Sequence, residues 1–263
     1  AAEAMDLMTG PRTAVEVGVG VAARWGVMGD SVAGVEISEE EARVATGKGA
    51  ALSETDRERI RQAVHAAEQQ TRAEIVPMIV ARSGLYRDAQ HWAGLITALT
   101  MLAVLLTIEA SWLPWGWHAS NAALLVFAVT LAYPCGAWIG TWKPVIRLLT
   151  SPTRLRHKVA LRAERAFAQH AISQTRERTG VLILLSMLER QIYVLPDRSL
   201  AGLVSAERWK QVVRAAVESL QHGDIAEGLT HAIAACGVVL ADACPARPGD
   251  NPNELPNQVI DER

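Results

Sequence analysis

The chain has 263 residues, half of them hydrophobic, and a formal charge of −2. That balance excludes the basic footprint of a nucleic-acid binder and the low hydrophobicity of a wholly disordered chain, so no nucleic-acid partner is expected. The three cysteines show no C-x-x-C spacing, which excludes a redox motif or zinc knuckle and fits a reducing compartment.

Residues 1–51 mix glycine, small residues and acids without a sustained period of 2 or 3.6. They predict a poorly ordered acidic extension. Within it Val15 to Val27 is a candidate strand, and Ser38-Glu39-Glu40-Glu41 a candidate helix start. The Gly18-Val19-Gly20 stretch lacks the βαβ surroundings of a dinucleotide site. No basic n-region with a short apolar core is seen, so no signal peptide is expected.

Order is expected from Leu52. Ser53 is an N-cap with Glu54 and Asp56 in the first turn. Ile60, Ala63, Val64 and Ala67 share one helix face, with Arg57, Glu58, Arg61 and Glu68 assigned to the polar side, as far as Thr71. Glu74 to Val80 reads as a strand, and Pro77 argues for an edge position or a bulge.

Residues 93–142 hold two apolar runs, Ala93 to Trp112 and Asn121 to Trp142. A bilayer core about 30 Å thick needs about 20 apolar helical residues, and both runs meet that length. They predict a transmembrane helical hairpin. Pro134, Cys135 and Gly136 predict a kink or a close helix contact in the second run. Trp92, Trp112, Trp115, Trp117, Trp138 and Trp142 mark the run ends as interfacial anchors, with Lys143 and Arg147 just beyond. The turn has no Lys or Arg, whereas both flanks do. The positive-inside rule therefore predicts a two-pass inner-membrane protein with both termini cytoplasmic. The basic stretch 143–165 is expected to meet anionic lipid headgroups.

Residues 52–92 and 143–244 read as the two parts of one domain, with 245–263 an extended tail. Ser151-Pro152 starts a long basic helix to about Thr175. Val181 to Met187 is a near-continuous apolar run, the pattern of a central strand covered on both faces. Glu189-Arg190 reverses the chain into an antiparallel strand, Gln191 to Leu195. Two helices follow, one capped by Ser205 with Gly223 at its end, the next capped by Asp224. The first two strands are joined by a crossover and should pair in parallel. The predicted fold class is α/β: a small mixed sheet flanked by helices and interrupted by the hairpin.

Asp197, Arg198 and Glu207 form the candidate polar site, after the returning strand, with Glu189 and Arg190 as secondary candidates at the hairpin tip. The structural readings are a turn with its ion pair and a solvated turn. The seven histidines show no H-x-H or H-E-x-x-H spacing, and Ser186 lacks a nucleophile's glycine elbow. No metal ligand set is read from these residues.

The order helix, TRAEIVPMIVAR, helix, T-x-x-x-TGVLILLSMLERQIYVLPDRSLAG, tryptophan helix, GDIAEGLTHAI and NELP resembles the TPM domain over Leu52 to Leu255. The inserted spans are similar to those of its bacterial membrane-protein branch. The resemblance implies an α/β/α domain. Relatives include a thylakoid-lumen protein linked to photosystem II repair, with acid phosphatase activity, and a modulator of acetylcholine receptors; some bind divalent metal. Where soluble members carry G-x-G-L-E-G, this chain has Asp197-Arg198-Ser199-Leu200-Ala201-Gly202, and most of the acidic ligand set is missing. The expectation is a protein that binds a protein partner or maintains an assembly, without cofactor. A divalent-metal-dependent phosphatase is the alternative.

Overall fold

The computed structural model describes residues 35–36, 52–112, 119–220, 224–247 and 253–262. The expected strand at Val15 to Val27, the helix start at Ser38, Gly223, and the turn with Trp115 and Trp117 lie outside the described residues.

The sheet has the order β1-β4-β3-β2-β5 among the described residues. β2 (Ile75–Val80) and β3 (Val181–Ser186) pair in parallel, Ile75 opposite Val181 and Val80 opposite Ser186. β4 (Gln191–Pro196) returns antiparallel beside β3. β1 (Val35–Glu36) adds two residues antiparallel to β4, and β5 (Ile260–Glu262) runs parallel to β2. The sheet is therefore mixed, as the crossover and hairpin readings require.

Both faces are covered because both faces of β2 and β3 are apolar. On one side Ile75, Ile79, Val181, Ile183 and Leu185 pack with α1 (Glu54–Glu68), α7 (Ala206–Leu220) and α8 (Ile225–Ala243), around the fully buried Trp209. On the other, Val76, Met78, Leu182, Leu184 and Tyr193 pack with Val159, Ala163 and Phe167 of α5 (Pro152–Gln169). Caps at Ser53 and Asp224 accept the first-turn amides as expected. The basic stretch divides into α4 (Lys143–Leu149) and α5, and α5 ends at Gln169 instead of Thr175, where Ala171 turns left-handed into a 3-10 turn.

Pro77 does not mark an edge, because β2 is paired on both sides. The Glu74 and Val80 carbonyls accept from Val181 and Met187, so alternate residues from Ile75 turn their backbone groups away from β3. Pro77 belongs to that set, and β5 pairing begins only at Met78. Its missing N–H falls just before the ladder starts.

α2 (Arg87–Trp112) and α3 (Ala119–Ile139) form the hairpin between β2 and α4. Among the described residues, three helices are long and apolar enough to cross a membrane, α2, α3 and α8. They differ in burial: half of α8's apolar stretch is buried in the core, against 17% for α2 and 11% for α3. The hairpin helices touch through small residues. A Cβ on Gly136 would lie 2.7 Å from the Ala93 carbonyl oxygen, and one on Gly140 would lie 2.7 Å from the Gln90 Cα. Of the two readings made for Pro134 to Gly136, a close helix contact is what these distances describe.

Such distances leave no room for a side chain. Replacing Gly136 with leucine is expected to separate the two helices. In a Cys135→Ala background, cross-linking by a short bismaleimide between cysteines placed at His91 and Tyr133, whose side chains meet across the two helices at 2.8 Å, should fall several-fold in that variant relative to the same pair without Gly136→Leu.

Candidate functional site

The polar chemistry divides between the two ends of the sheet. The carboxyl ends of β2 and β3 meet the base of the hairpin, and Glu189 stands there with 5% of its surface exposed. The tight reversal after β3 puts it there, with Arg190 in the left-handed region at φ 53°. One carboxylate oxygen, Oε1, accepts the Ser83 N–H at 2.9 Å and the Tyr86 hydroxyl. The other, Oε2, accepts the Ser186 hydroxyl, which itself accepts from Ser83 Oγ at 2.8 Å. One side chain thus ties the β3–β4 turn to the segment that leads into α2.

Around this knot the packing is tight. The Lys158 ammonium lies 4.2 Å from the centre of the Tyr86 ring and donates to the Leu85 carbonyl. Tyr86, Ala89, Ile146, Leu155 and Leu188 form a small apolar cluster joining α2, α4, α5 and the turn. Burial, then the Glu189 charge, pushes the Tyr86 phenol up, so it stays protonated and donates. Sequence reasoning left Ser83 and Tyr86 unmarked. Their partner lies more than a hundred residues away, and no local spacing announces it.

Asp197, Arg198 and Glu207 sit at the other end. Asp197 caps the short helix α6 (Arg198–Ala201), its Oδ1 accepting the Arg198 N–H at 2.5 Å. It is 5% exposed, burial raises its pKa, and its Oδ2 is buried with no hydrogen-bond partner among the described residues. Glu207 instead is exposed on the first turn of α7 and pairs with Lys210 at 2.7 Å. Asp197 and Glu207 therefore spend their carboxylates on different partners. Among the described residues, no three His, Cys, Asp or Glu side chains converge as a metal site would require. Cys236 and Cys244 are buried free thiols, both pushed up by burial.

The same end holds two buried acids that the sequence did not single out. Glu68, assigned to a polar helix face, is in fact 8% exposed, and Glu74 is 5% exposed. Glu68 accepts the Ile75 N–H at 2.9 Å and the Asn257 side-chain amide at 2.8 Å. Glu74 accepts the backbone N–H groups of Glu254 at 3.2 Å and Leu255 at 3.3 Å. The pair holds residues 254–257 against the domain, and β5 then completes the sheet with Asp261 on Arg57 at 3.2 Å. Burial pushes Glu68 up to about 8, with the Glu74 charge adding to it, and burial likewise raises Glu74.

Two outcomes are expected. Glu189→Ala strands three donors at once and should cost about 3 kcal/mol, with Glu189→Gln losing less, read from denaturant unfolding in detergent. Separately, folded Glu68 keeps a proton that the unfolded chain releases above the ordinary glutamate range. Stability should therefore fall as pH rises from about 5 to about 8, and Glu68→Gln should flatten that slope of unfolding midpoint against pH.

With this geometry in view, residues 144–239 match the TPM domain family. The structure is similar to the NMR structure of the BA42 protein from the psychrophilic bacterium Bizionia argentinensis. Sequence identity is 17% and the TM-score 0.51, over 82% of this chain and 99% of that one. No curated protein matches the chain. The likeness to BA42 is one of fold, and the match to the TPM domain is confined to residues 144–239.

Proposed function

We propose that this TPM-domain chain is a two-pass inner-membrane protein whose domain stands on the cytoplasmic side and acts as a binding or assembly module instead of a catalyst. The observation that carries the reading is the outward surface of the hairpin. Leu95, Leu99, Val104, Leu124, Phe127 and Leu131 all point away from the protein, each at least 44% exposed. An apolar surface of that extent is unfavourable in water and is at home in lipid. Trp92, Trp138 and Trp142 are also half-exposed or more, and Trp138 and Trp142 meet edge to face at 5.7 Å.

Sidedness follows from two independent arguments. Parallel pairing of β2 with β3 needs both ends of the hairpin on one side of the bilayer. The lysines and arginines of the flanks favour the cytoplasm for that side. The bilayer itself, with its anionic headgroups near 143–165, is then one partner, and a protein bound by the domain is the other.

Hydrolysis of a phosphomonoester is the competing reading, and the buried Asp197 with its unpartnered oxygen favours it. Detergent-purified protein should give no turnover of a generic phosphomonoester with any of the common divalent ions. Turnover abolished by Asp197→Ala would establish the enzyme reading instead. For the topology, a cytoplasmic fluorescent reporter fused to the C-terminus should be active and a periplasmic phosphatase reporter silent. The reverse pattern would overturn the orientation.

A further inference from the structure

We infer that α4 is an in-plane membrane helix: its outer face, carrying Leu148, rests in the headgroup layer of an anionic leaflet and sets the stance of the domain on the bilayer. The inference rests on the two-pass reading and adds a surface to it.

Three observations carry it. First, α4 is fixed in place. Its inner residues Ile146 and Leu149 pack with Tyr86, Ala89, Leu155 and Leu188, at the hairpin base. Second, its opposite face is apolar and bare. At about 100° per residue, Pro144 and Leu148 fall opposite Ile146 and Leu149. Leu148 is 84% exposed, more than any other large apolar side chain among the described residues. An isolated exposed leucine means little. This one follows directly on the hairpin, six residues after the exposed Trp142, and the exposed Leu85 lies in the segment that leads from β2 into α2. The bare face is thus continuous with the surface assigned to lipid.

Third, the charge suits an anionic leaflet. Lys143 and Arg147 lie four residues apart along one flank of α4, and the helix carries no acid. That is the pattern of a helix lying in the interface, apolar face down and basic residues at headgroup level. The backbone permits the change of direction. Trp142 is extended, at φ −74° and ψ 136°, and Pro144 stands in the first turn, so the chain leaves α3 and starts a new helix at once. The carboxyl ends of β2 and β3, with Glu189, are then held facing the membrane, and the end with Asp197, Glu68 and Glu74 faces away.

The test uses the full chain in phosphatidylcholine vesicles with and without phosphatidylglycerol. Cys135→Ala removes the exposed thiol, and Cys236 and Cys244 are buried. Single cysteines at Leu148, Phe127 or Leu203 then carry an environment-sensitive fluorophore. Leu203 is 61% exposed and follows α6, at the end of the sheet away from the hairpin. The Leu148 probe should be quenched by lipids spin-labelled near the headgroup and should be several-fold less accessible to iodide than the Leu203 probe. Lys143→Glu should reduce that lipid quenching in the phosphatidylglycerol vesicles. If the Leu148 probe is as open to iodide as the Leu203 probe while the Phe127 probe stays lipid-quenched, the inference fails and the two-pass reading survives. If the Phe127 probe is itself open to iodide, both fail. A Leu148 probe shielded from iodide yet untouched by lipid quenchers would mean that protein covers this face, and would also overturn the inference.

Discussion

The parallel pairing of β2 with β3 is the contact on which the rest depends. The two strands are separated by a hundred residues that include two long apolar helices, yet their six residues match one to one. Loop closure over that distance is costly, and the hairpin reduces the cost by folding its length back on itself. Close packing at Gly94, Gly136 and Gly140 brings the entering and leaving chains together, so β2 ends and α5 begins near one another. The small cluster of Tyr86, Ala89, Ile146, Leu155 and Leu188 then joins hairpin to sheet. Glu189 closes that junction by hydrogen bonds, where apolar packing alone would not fix an angle.

Much of this architecture was legible in the sequence, for a physical reason. Burial on both faces leaves a continuous apolar run, and Val181 to Ser186 shows one. A surface apolar on all sides leaves a long run nearly free of charge, and the hairpin shows two, with Glu109 the one acid in the run Ala93 to Trp112 and none in Asn121 to Trp142. The Ser53 and Asp224 caps are local hydrogen bonds, so their signal is local as well. What could not be read was long-range. Pro77 signals an edge by its missing donor, but only the late start of β5 tells where that donor is not needed. Glu68 looks like a residue for solvent until Asn257 and Ile75 supply its donors. Acids were therefore sorted by chain neighbours, and the fold sorted them by distant partners.

The candidate acids illustrate the difference. Glu207, read as part of the candidate polar site, is exposed and paired along its own helix. Asp197 does more than turn the chain, since it is buried and holds the start of α6. Glu189, the secondary candidate, is the one that meets the rest of the molecule. A carboxylate with three donors in a buried junction is strongly oriented. It stands where domain and hairpin meet, so any tilt of one is felt by the other.

The segment from Glu254 to Glu262 gives the fold an order in time. Translation delivers α2 and α3 long before these residues, so the hairpin can pack through its glycines while the sheet still lacks β5. Until then Glu74 has no Glu254 or Leu255 amide to accept, and Glu68 no Asn257. Met78 to Val80 of β2 lack their β5 partners over the same interval. The sheet is thus finished by residues 254–262, as a knot is by the strand drawn through it last, and only after the hairpin that separates β2 from β3 has been made.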